Sequence, residues 1–213
     1  YICVIMNVCV GRKDCIPALS LKIVKSGLLP KVCRIFAIIM SITGIVRNVF
    51  LHRQKELEKH INDGETLQRE VLRRLLAHAK ETEYGRNHLF GSAKGYDDFA
   101  RNTPVNTYEE LKGDIDRMRH GERDILWPGK VRWYAKSSGT TNDKSKFIPV
   151  SDDGLGNLHY KGGKDAVAIY LRNNPRSRMF DGKGLILGGS HSPNYNLRDS
   201  LVGDLSAILI ENI

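Results

Sequence analysis

Hydrophobic positions recur at helical spacing in two neighbouring stretches near the start of the chain. One stripe runs from Val46 to Ile61 and the next from Leu67 to Ala79, with charged residues between the apolar ones. The polar sequence NDGE at 62–65 separates the stripes, and its glycine favours a break. The pattern predicts a helical hairpin at the N-terminal end of the domain.

A glycine-rich connection at 82–106 predicts mostly irregular structure before the next elements. Thr107 precedes Glu110 by the spacing of a capping box, which predicts a helix that carries Leu111, Ile115 and Met118. WPGK at 127–130 predicts a turn. The β-branched and aromatic residues of VRWYAK at 131–136 predict a strand after it.

Helix and strand signals continue to the end of the chain. Ser151, followed by two aspartates, predicts a helix start. We expect the helix to carry Leu155, Leu158, Val167 and Leu171, and to be loosened in its middle by Gly162 and Gly163. KGLILGG at 183–189 predicts a strand buried on both faces that leads to a tight turn. The mixture of elements predicts an α/β fold.

The stretch KSSGTTNDKSKFIPVS at 136–151 is rich in Ser, Thr and Lys. Such a loop can hold an anion, because glycine allows close approach, backbone N–H groups converge, hydroxyls donate and lysine supplies positive charge. The G-x-x-x-x-G-K-[ST] spacing of a P-loop is absent. Composition alone leaves two interpretations open, a phosphate-binding loop of another lineage or a polar turn.

The order of residues in SSGTTNDKSKFIPV resembles the signature of adenylate-forming enzymes, the acyl-CoA synthetase and luciferase superfamily. Lys146 lies eight positions after Ser138, one more than in the common form. With FIPV after it, the stretch resembles the auxin-responsive Gretchen Hagen family of acyl acid amido synthetases, and in particular its bacterial members. Segments 103–141 and 180–193 resemble the same family, so the resemblance runs from about Met40 to Ile213.

The resemblance implies ATP-dependent adenylation of a small carboxylic acid, followed by amide formation with an amine or amino acid, with ATP and Mg²⁺ required. It implies a catalytic role for Lys146, as the cation that faces the ATP phosphates. The phosphate-binding residues that it implies are Ser137, Ser138, Gly139, Thr140, Thr141, Lys144 and Lys146. Asn142 and Asp143 stand where small residues are usual.

Three aromatic or histidine residues downstream have two interpretations each. By analogy with the family, His159 and Tyr160 would line an acyl pocket, and ordinary packing is the alternative. His191 is a lone histidine with no identifiable carboxylate or cysteine partner in the sequence, so a site role and a structural role both stay open.

The resemblance also implies the first part of an adenylate-forming, luciferase-like large domain. We expect the chain to be an incomplete N-terminal fragment that is inactive by itself, with residues 40–213 in that domain. Residues 1–39 fall outside the resemblance and are interpreted as a non-domain upstream segment, which makes Met40 the true start. The alternative for them is a signal or membrane-surface segment.

Charge leaves other functions open. The net charge of +9 would suit a nucleic acid or an anionic membrane, but residues 1–39 hold six Lys or Arg against Asp14 alone, so the main body is mildly basic. All four cysteines precede Met40 without a C-x-x-C pair, which argues against a metal site. The alternatives are a thioester ligase of the acyl-CoA type or a basic nucleic-acid- or membrane-binding module. We expect a cytoplasmic protein with small-molecule partners, no nucleic acid and no membrane span.

Overall fold

The computed structural model describes residues 2–6, 42–137 and 145–213. The described chain forms two compact units. The larger unit draws its residues mainly from Glu56–Gly163 and Gly188–Ile213, and the smaller unit from within Cys3–Lys55 and from Lys164–Leu187. The predicted boundary at Met40 lies outside the described residues and stays a prediction.

Two helices occupy the region where the helical hairpin is predicted. Helix α1 spans Ile42–Asn62 and α2 spans Gly64–Ala79. The predicted break is a single residue, Asp63, with a φ of −123°. Its N–H donates to the carbonyl of Lys59 (2.8 Å) and its carbonyl accepts from the N–H of Leu67 (3.0 Å), so backbone hydrogen bonds continue through the junction.

The connection at 82–106, predicted to be mostly irregular, contains two short helices, α3 (Glu83–Asn87) and α4 (Tyr96–Asn102). Thr82 caps α3, because its buried hydroxyl accepts a hydrogen bond from the N–H of Gly85 at 2.9 Å. The sequence did not predict these two helices. For α3 the reason is that a cap can stabilise a helix too short for an apolar stripe to be recognised.

Helix α5 (Tyr108–Arg119) confirms the helix predicted from the capping box. The carboxylate of Glu110 accepts hydrogen bonds from the N–H of Thr107 (2.6 Å) and from its hydroxyl (2.8 Å). These two bonds lower the pKa of Glu110, since they favour the charged form. The first turn of α5 is therefore firmly fixed.

The larger unit is built on a three-stranded sheet. Strands β2 (Trp133–Ser137) and β3 (Lys146–Val150) are antiparallel, and a strand near the end of the chain, Leu201–Gly203, pairs parallel to β2 on its other side. The sheet separates two hydrophobic clusters. Tyr134, fully buried, packs with Ile115 and Met118 of α5, whereas Trp133 and Ala135 pack with Val150, Leu155 and Ile208.

The helix predicted after Ser151 is present, with an irregularity that the sequence did not predict. The hydroxyl of Ser151 accepts from the N–H of Gly154 at 3.0 Å, and a π-helical segment (Gly154–Tyr160) precedes α6 (Lys161–Asn173). The glycine pair thus lies within regular helix, and the irregular part comes before it. Because π-helical turns are wider, the phase of the stripe shifts, and Leu155 is buried while Leu158 is 67% exposed.

Strand β4 (Gly184–Gly188) confirms the strand predicted from KGLILGG, but the predicted burial was wrong. The side chains of Leu185, Ile186 and Leu187 are all exposed. Among the described residues β4 pairs with β1 (Ile2–Met6) only, in a two-stranded sheet, so its apolar side chains lack covering neighbours. The third strand of the larger sheet, Leu201–Gly203, is β5, and α7 (Leu205–Glu211) follows it.

In the smaller unit, Asp181 holds the first turn of α1. One carboxylate oxygen accepts from both the N–H and the hydroxyl of Thr43, at 2.9 and 3.0 Å. The other accepts from Nε of Arg178 at 2.9 Å. Led by the hydrogen bond from the Thr43 N–H, these contacts lower the pKa of Asp181 to about 2.

Candidate functional site

The two ends of the predicted phosphate-binding loop meet as partners in an antiparallel pair. Ser137, the last residue of β2, lies opposite Lys146, the first residue of β3. Paired residues share a face of the sheet with their Cβ atoms about 5 Å apart. Strand β2 confirms the strand predicted from VRWYAK, and its pairing with β3 brings together two predicted site residues. The others, namely Ser138, Gly139, Thr140, Thr141 and Lys144, lie outside the described residues.

The surroundings of Lys146 leave its charge available. The residue is exposed, and its ammonium nitrogen lies 5.3 Å from the centroid of the Tyr108 ring. No carboxylate in the described part of the chain comes within ion-pair distance of it. An ammonium group held against a ring keeps its charge and its hydrogen-bond donors, so it can still bind an anion.

A second lysine flanks the loop on the incoming strand. Lys136 places its ammonium nitrogen 4.2 Å from the centroid of the Tyr195 ring. Because side chains alternate along β2, Lys136 points to the face opposite Ser137. Each of the two strands therefore carries, beside the loop, a lysine whose ammonium group contacts an aromatic ring.

Arg119 is a third cation next to this hairpin, and it is almost fully buried. Its guanidinium stacks over the Phe147 ring, with Cζ 3.9 Å from the centroid, and donates to the carbonyl of Tyr195 at 2.8 Å. Phe147 and Tyr195 are also in ring contact, with centroids 5.7 Å apart. Arg119 thus fixes the position of the strand that begins with Lys146.

Sequence reasoning missed Tyr108, Arg119 and Tyr195. A signal existed for the first two, because they extend the stripe of Leu111, Ile115 and Met118 at helical spacing, at its two ends. No comparable pattern marks Tyr195, which lies in a 3₁₀ turn at Pro193–Tyr195.

Tyr134 is a residue of β2, and its side chain is fully buried. Burial raises its pKa to about 12, so the phenol is neutral over the physiological range. Tyr134 therefore carries no negative charge that could offset the positive charges of Lys136, Lys146 and Arg119.

The sequence leaves the roles of Tyr160, His159 and His191 open. The structure shows contacts for Tyr160 and His191. The Tyr160 hydroxyl donates to the carbonyl of Leu209 at 2.8 Å, a packing contact with α7. His191 forms a β-bridge with Gly203, and its ring centroid lies 5.6 Å from that of Trp133. His159 is half-buried. An acyl-pocket role for His159 or Tyr160 stays a prediction.

Two absences concern the described ranges, 2–6, 42–137 and 145–213. No group of three or more His, Cys, Asp or Glu side chains within them is arranged to hold a metal ion. No helix within them combines the length and the apolar content that crossing a membrane requires.

The curated relatives of this chain include plant enzymes. A probable indole-3-acetic acid-amido synthetase of Arabidopsis thaliana, GH3.1, is 32% identical over 100 residues, which cover 46% of this chain and 17% of the relative. The indole-3-acetic acid-amido synthetase GH3.17 of the same plant is 30% identical over 135 residues, or 62% of this chain and 22% of the relative. The chain therefore spans about a fifth of the length of these relatives.

Two solved structures share the fold. The AtGH3.15 acyl acid amido synthetase, in complex with 2,4-DB, superposes with a TM-score of 0.64 at 23% identity, over 78% of this chain and 28% of that one. Another structure of a GH3.15 acyl acid amido synthetase gives a TM-score of 0.57 at 20% identity, over 89% and 30%. This likeness shows the same mixed α/β architecture.

The sequence profile of the GH3 family N-terminal domain matches residues 53–212, which is about three quarters of the chain. The matched range contains α2 to α7, the hairpin of β2 and β3, and both Ser137 and Lys146. The chain belongs to the GH3 family, and residues 53–212 are sequence of its N-terminal domain.

Proposed function

We propose that the whole protein to which this chain belongs joins a small carboxylic acid to the amine of an amino acid, with ATP as the energy source. The observation that carries the proposal is the hairpin that sets Ser137 opposite Lys146 in a GH3 N-terminal domain. The relatives are named indole-3-acetic acid-amido synthetases, and these names favour an amide of this kind as the product. From the FIPV stretch we also propose that the protein is of the bacterial branch. From the lack of cysteine after Met40 we propose that it is cytoplasmic.

The proposed reaction has two steps. A carboxylate oxygen of the acid attacks the α-phosphorus of ATP, the bond from that phosphorus to the bridging oxygen breaks, and pyrophosphate leaves with the bonding electrons. The amine nitrogen then attacks the acyl carbon, AMP leaves, and the nitrogen loses a proton. Negative charge accumulates on the pyrophosphate in the first step, so a cation placed there accelerates it.

We assign to Lys146 the role of the cation that offsets the negative charge on the leaving pyrophosphate. Lys146 is exposed, and no described carboxylate pairs with it, so its ammonium group can approach the β- and γ-phosphates. The phosphate-binding role assigned to Ser137, Ser138, Gly139, Thr140, Thr141 and Lys144 is part of the same proposal. Hydroxyls and glycine backbone in this order would donate hydrogen bonds to phosphate oxygens.

Mg²⁺ is expected to accompany ATP. This ion is usually bound by one or two carboxylates together with substrate phosphates and water, so the residues here need not form a metal cage. When bound, the ion would neutralise phosphate charge alongside Lys146.

Exchange of labelled pyrophosphate into ATP tests the first step alone, and we would use indole-3-acetate as the probe acid. In the whole protein, Lys146→Ala and Thr140→Val should each lower the acid-dependent exchange rate, the lysine change by about a hundredfold or more. The matched control is Lys112→Ala, which removes an exposed lysine from α5. Exchange that is unchanged in both loop variants would contradict the proposal and leave the stretch as a polar turn.

A further inference from the structure

One side chain, Tyr108, contacts both the predicted catalytic lysine and the residue after it. Its hydroxyl accepts a hydrogen bond from the N–H of Phe147 at 3.0 Å. Its ring centroid lies 5.3 Å from the ammonium nitrogen of Lys146. The two contacts use different parts of the tyrosine, so substitutions can separate them.

The hydroxyl contact fixes the backbone of β3. In the described sheet β3 is an edge strand, with β2 as its neighbour on one side. An edge strand presents backbone N–H groups that no other strand satisfies. The Tyr108 hydroxyl accepts a hydrogen bond from the N–H of Phe147, and thereby holds the strand at the residue that follows Lys146.

The ring contact restricts the side chain of Lys146. An exposed lysine samples many rotamers, and a cation within about 6 Å of a ring centroid is attracted to the ring face. A carboxylate would also restrict the lysine, but it would compete with phosphate for the ammonium group. An aromatic ring restrains Lys146 and leaves its positive charge available.

Tyr108 is itself well anchored. It is the first residue of α5 and lies between Thr107 and Glu110, the two residues of the capping box. It also packs against the cluster that contains Ile115 and Met118. A residue held by both a fixed helix start and a hydrophobic core can impose its position on a flexible neighbour.

From these contacts we propose that Tyr108 is a positioning residue that holds Lys146 in the orientation needed for the ATP phosphates. This inference rests on the function proposed above. Displacing a catalytic group by about 1 Å can cost a hundredfold in rate, so loss of the contact should be measurable.

The test is a double-mutant cycle on carboxylate-dependent pyrophosphate exchange in the whole protein, again with indole-3-acetate. We expect Tyr108→Leu to lower kcat by about tenfold or more. Tyr108→Phe keeps the ring and loses the hydroxyl, so its effect should be smaller, about two- to tenfold. In a Lys146→Ala background, Tyr108→Leu should change kcat by less than about twofold, because the group that it positions is absent.

Tyr96→Leu is the matched control, since Tyr96 is likewise the first residue of a helix and is 66% exposed. Thermal unfolding of every variant checks that the fold is retained. If Tyr108→Leu does not fold, the same cycle is run with Tyr108→Phe, whose kcat effect should likewise vanish in the Lys146→Ala background.

The outcomes separate the two proposals. If Lys146→Ala lowers exchange and the Tyr108 effect multiplies with it, Tyr108 acts independently and the positioning role is overturned. If Lys146→Ala leaves exchange unchanged, the positioning role is overturned, and if Thr140→Val also leaves it unchanged, the proposed function fails as well. Both proposals are supported if Lys146→Ala lowers exchange, Tyr108→Leu has no further effect in that background, and Tyr96→Leu stays close to wild type.

Discussion

The guanidinium carbon of Arg119 lies 3.9 Å from the centroid of the Phe147 ring, so the last residue of α5 is stacked on the second residue of β3. Arg119 also donates to the Tyr195 carbonyl and is 9% exposed. One buried cation therefore joins a helix, an edge strand and a turn. Both its packing and its hydrogen bond are lost if the side chain is shortened.

We predict that Arg119→Ala lowers the free energy of unfolding by about 2 kcal/mol, from the stacking and the hydrogen bond together. Arg119→Lys should recover only part of this, because an ammonium group cannot stack as a planar guanidinium does. Urea denaturation measures both changes. Arg123→Ala, at an exposed position nearby, is the control, and a loss equal to that of Arg119→Ala would contradict the prediction.

Gly85 should tolerate no side chain. A Cβ atom at this position would lie 2.1 Å from the backbone carbonyl oxygen of Ala79, which also accepts hydrogen bonds from Thr82. We expect Gly85→Ala to lower the free energy of unfolding by about 2 kcal/mol or more, because backbone atoms must move.

The comparison for Gly85 is Gly113→Ala. Gly113 lies within α5, and a Cβ atom there meets nothing within 4 Å. This variant should be neutral or stabilised by up to about 1 kcal/mol, because alanine favours helix. Equal melting temperatures for the two variants would show that the contact with Ala79 is not restrictive.

Asp181 should make stability depend on pH in the acid range. Its pKa is lowered to about 2 from the usual 3.8, chiefly by the hydrogen bond from the Thr43 N–H. A carboxylate with a depressed pKa stabilises the fold fully above its unfolded value, and this contribution is lost as the pH falls towards 2. The stability difference between wild type and Asp181→Asn should therefore shrink between about pH 4 and pH 2.

Urea denaturation at several pH values measures this difference. Asp97→Asn, which removes an exposed carboxylate from α4, serves as the control and should show a smaller dependence. A difference between wild type and Asp181→Asn that stays constant from pH 5 to about pH 2 would contradict the role of this carboxylate.

Tyr160 offers a test of packing against pocket. Its hydroxyl donates to the Leu209 carbonyl at 2.8 Å. Tyr160→Phe should lower the free energy of unfolding by about 1 kcal/mol, the net value of one such bond. Tyr96→Phe, at an exposed position, should have no effect in the same denaturation experiment. Unchanged stability in Tyr160→Phe would contradict the packing role and leave the acyl-pocket interpretation.

The elements around the site were largely predictable because local signals specify them. Thr107 and Glu110 form a capping box wherever a helix follows, and β-branched and aromatic residues favour the strand from Trp133. The strand pairing that sets Ser137 opposite Lys146 follows from two strands joined by a short connection. These features depend on residues close together in the sequence.

The remainder depends on contacts between distant residues. The exposure of Leu185 and Leu187 reflects which strands pair with β4, and an apolar run does not contain that information. The π-helical segment shifts Leu158 outward by a change in turn width that periodicity assumes away. Arg119 appears on an apolar stripe in sequence, but its aromatic partners, Phe147 and Tyr195, can be found only in three dimensions.

The pairing of Ser137 with Lys146 limits which insertions and deletions the site can accept in evolution. Residues added between positions 138 and 145 change the length of the loop and leave the strands and their facing pairs as they are. One residue added within β3 turns every later side chain to the opposite side of the sheet, because alternation has a period of two. An insertion between Lys146 and Phe147 would thus turn Phe147 away from Arg119. Length variation among related proteins should therefore concentrate in the loop and avoid β3.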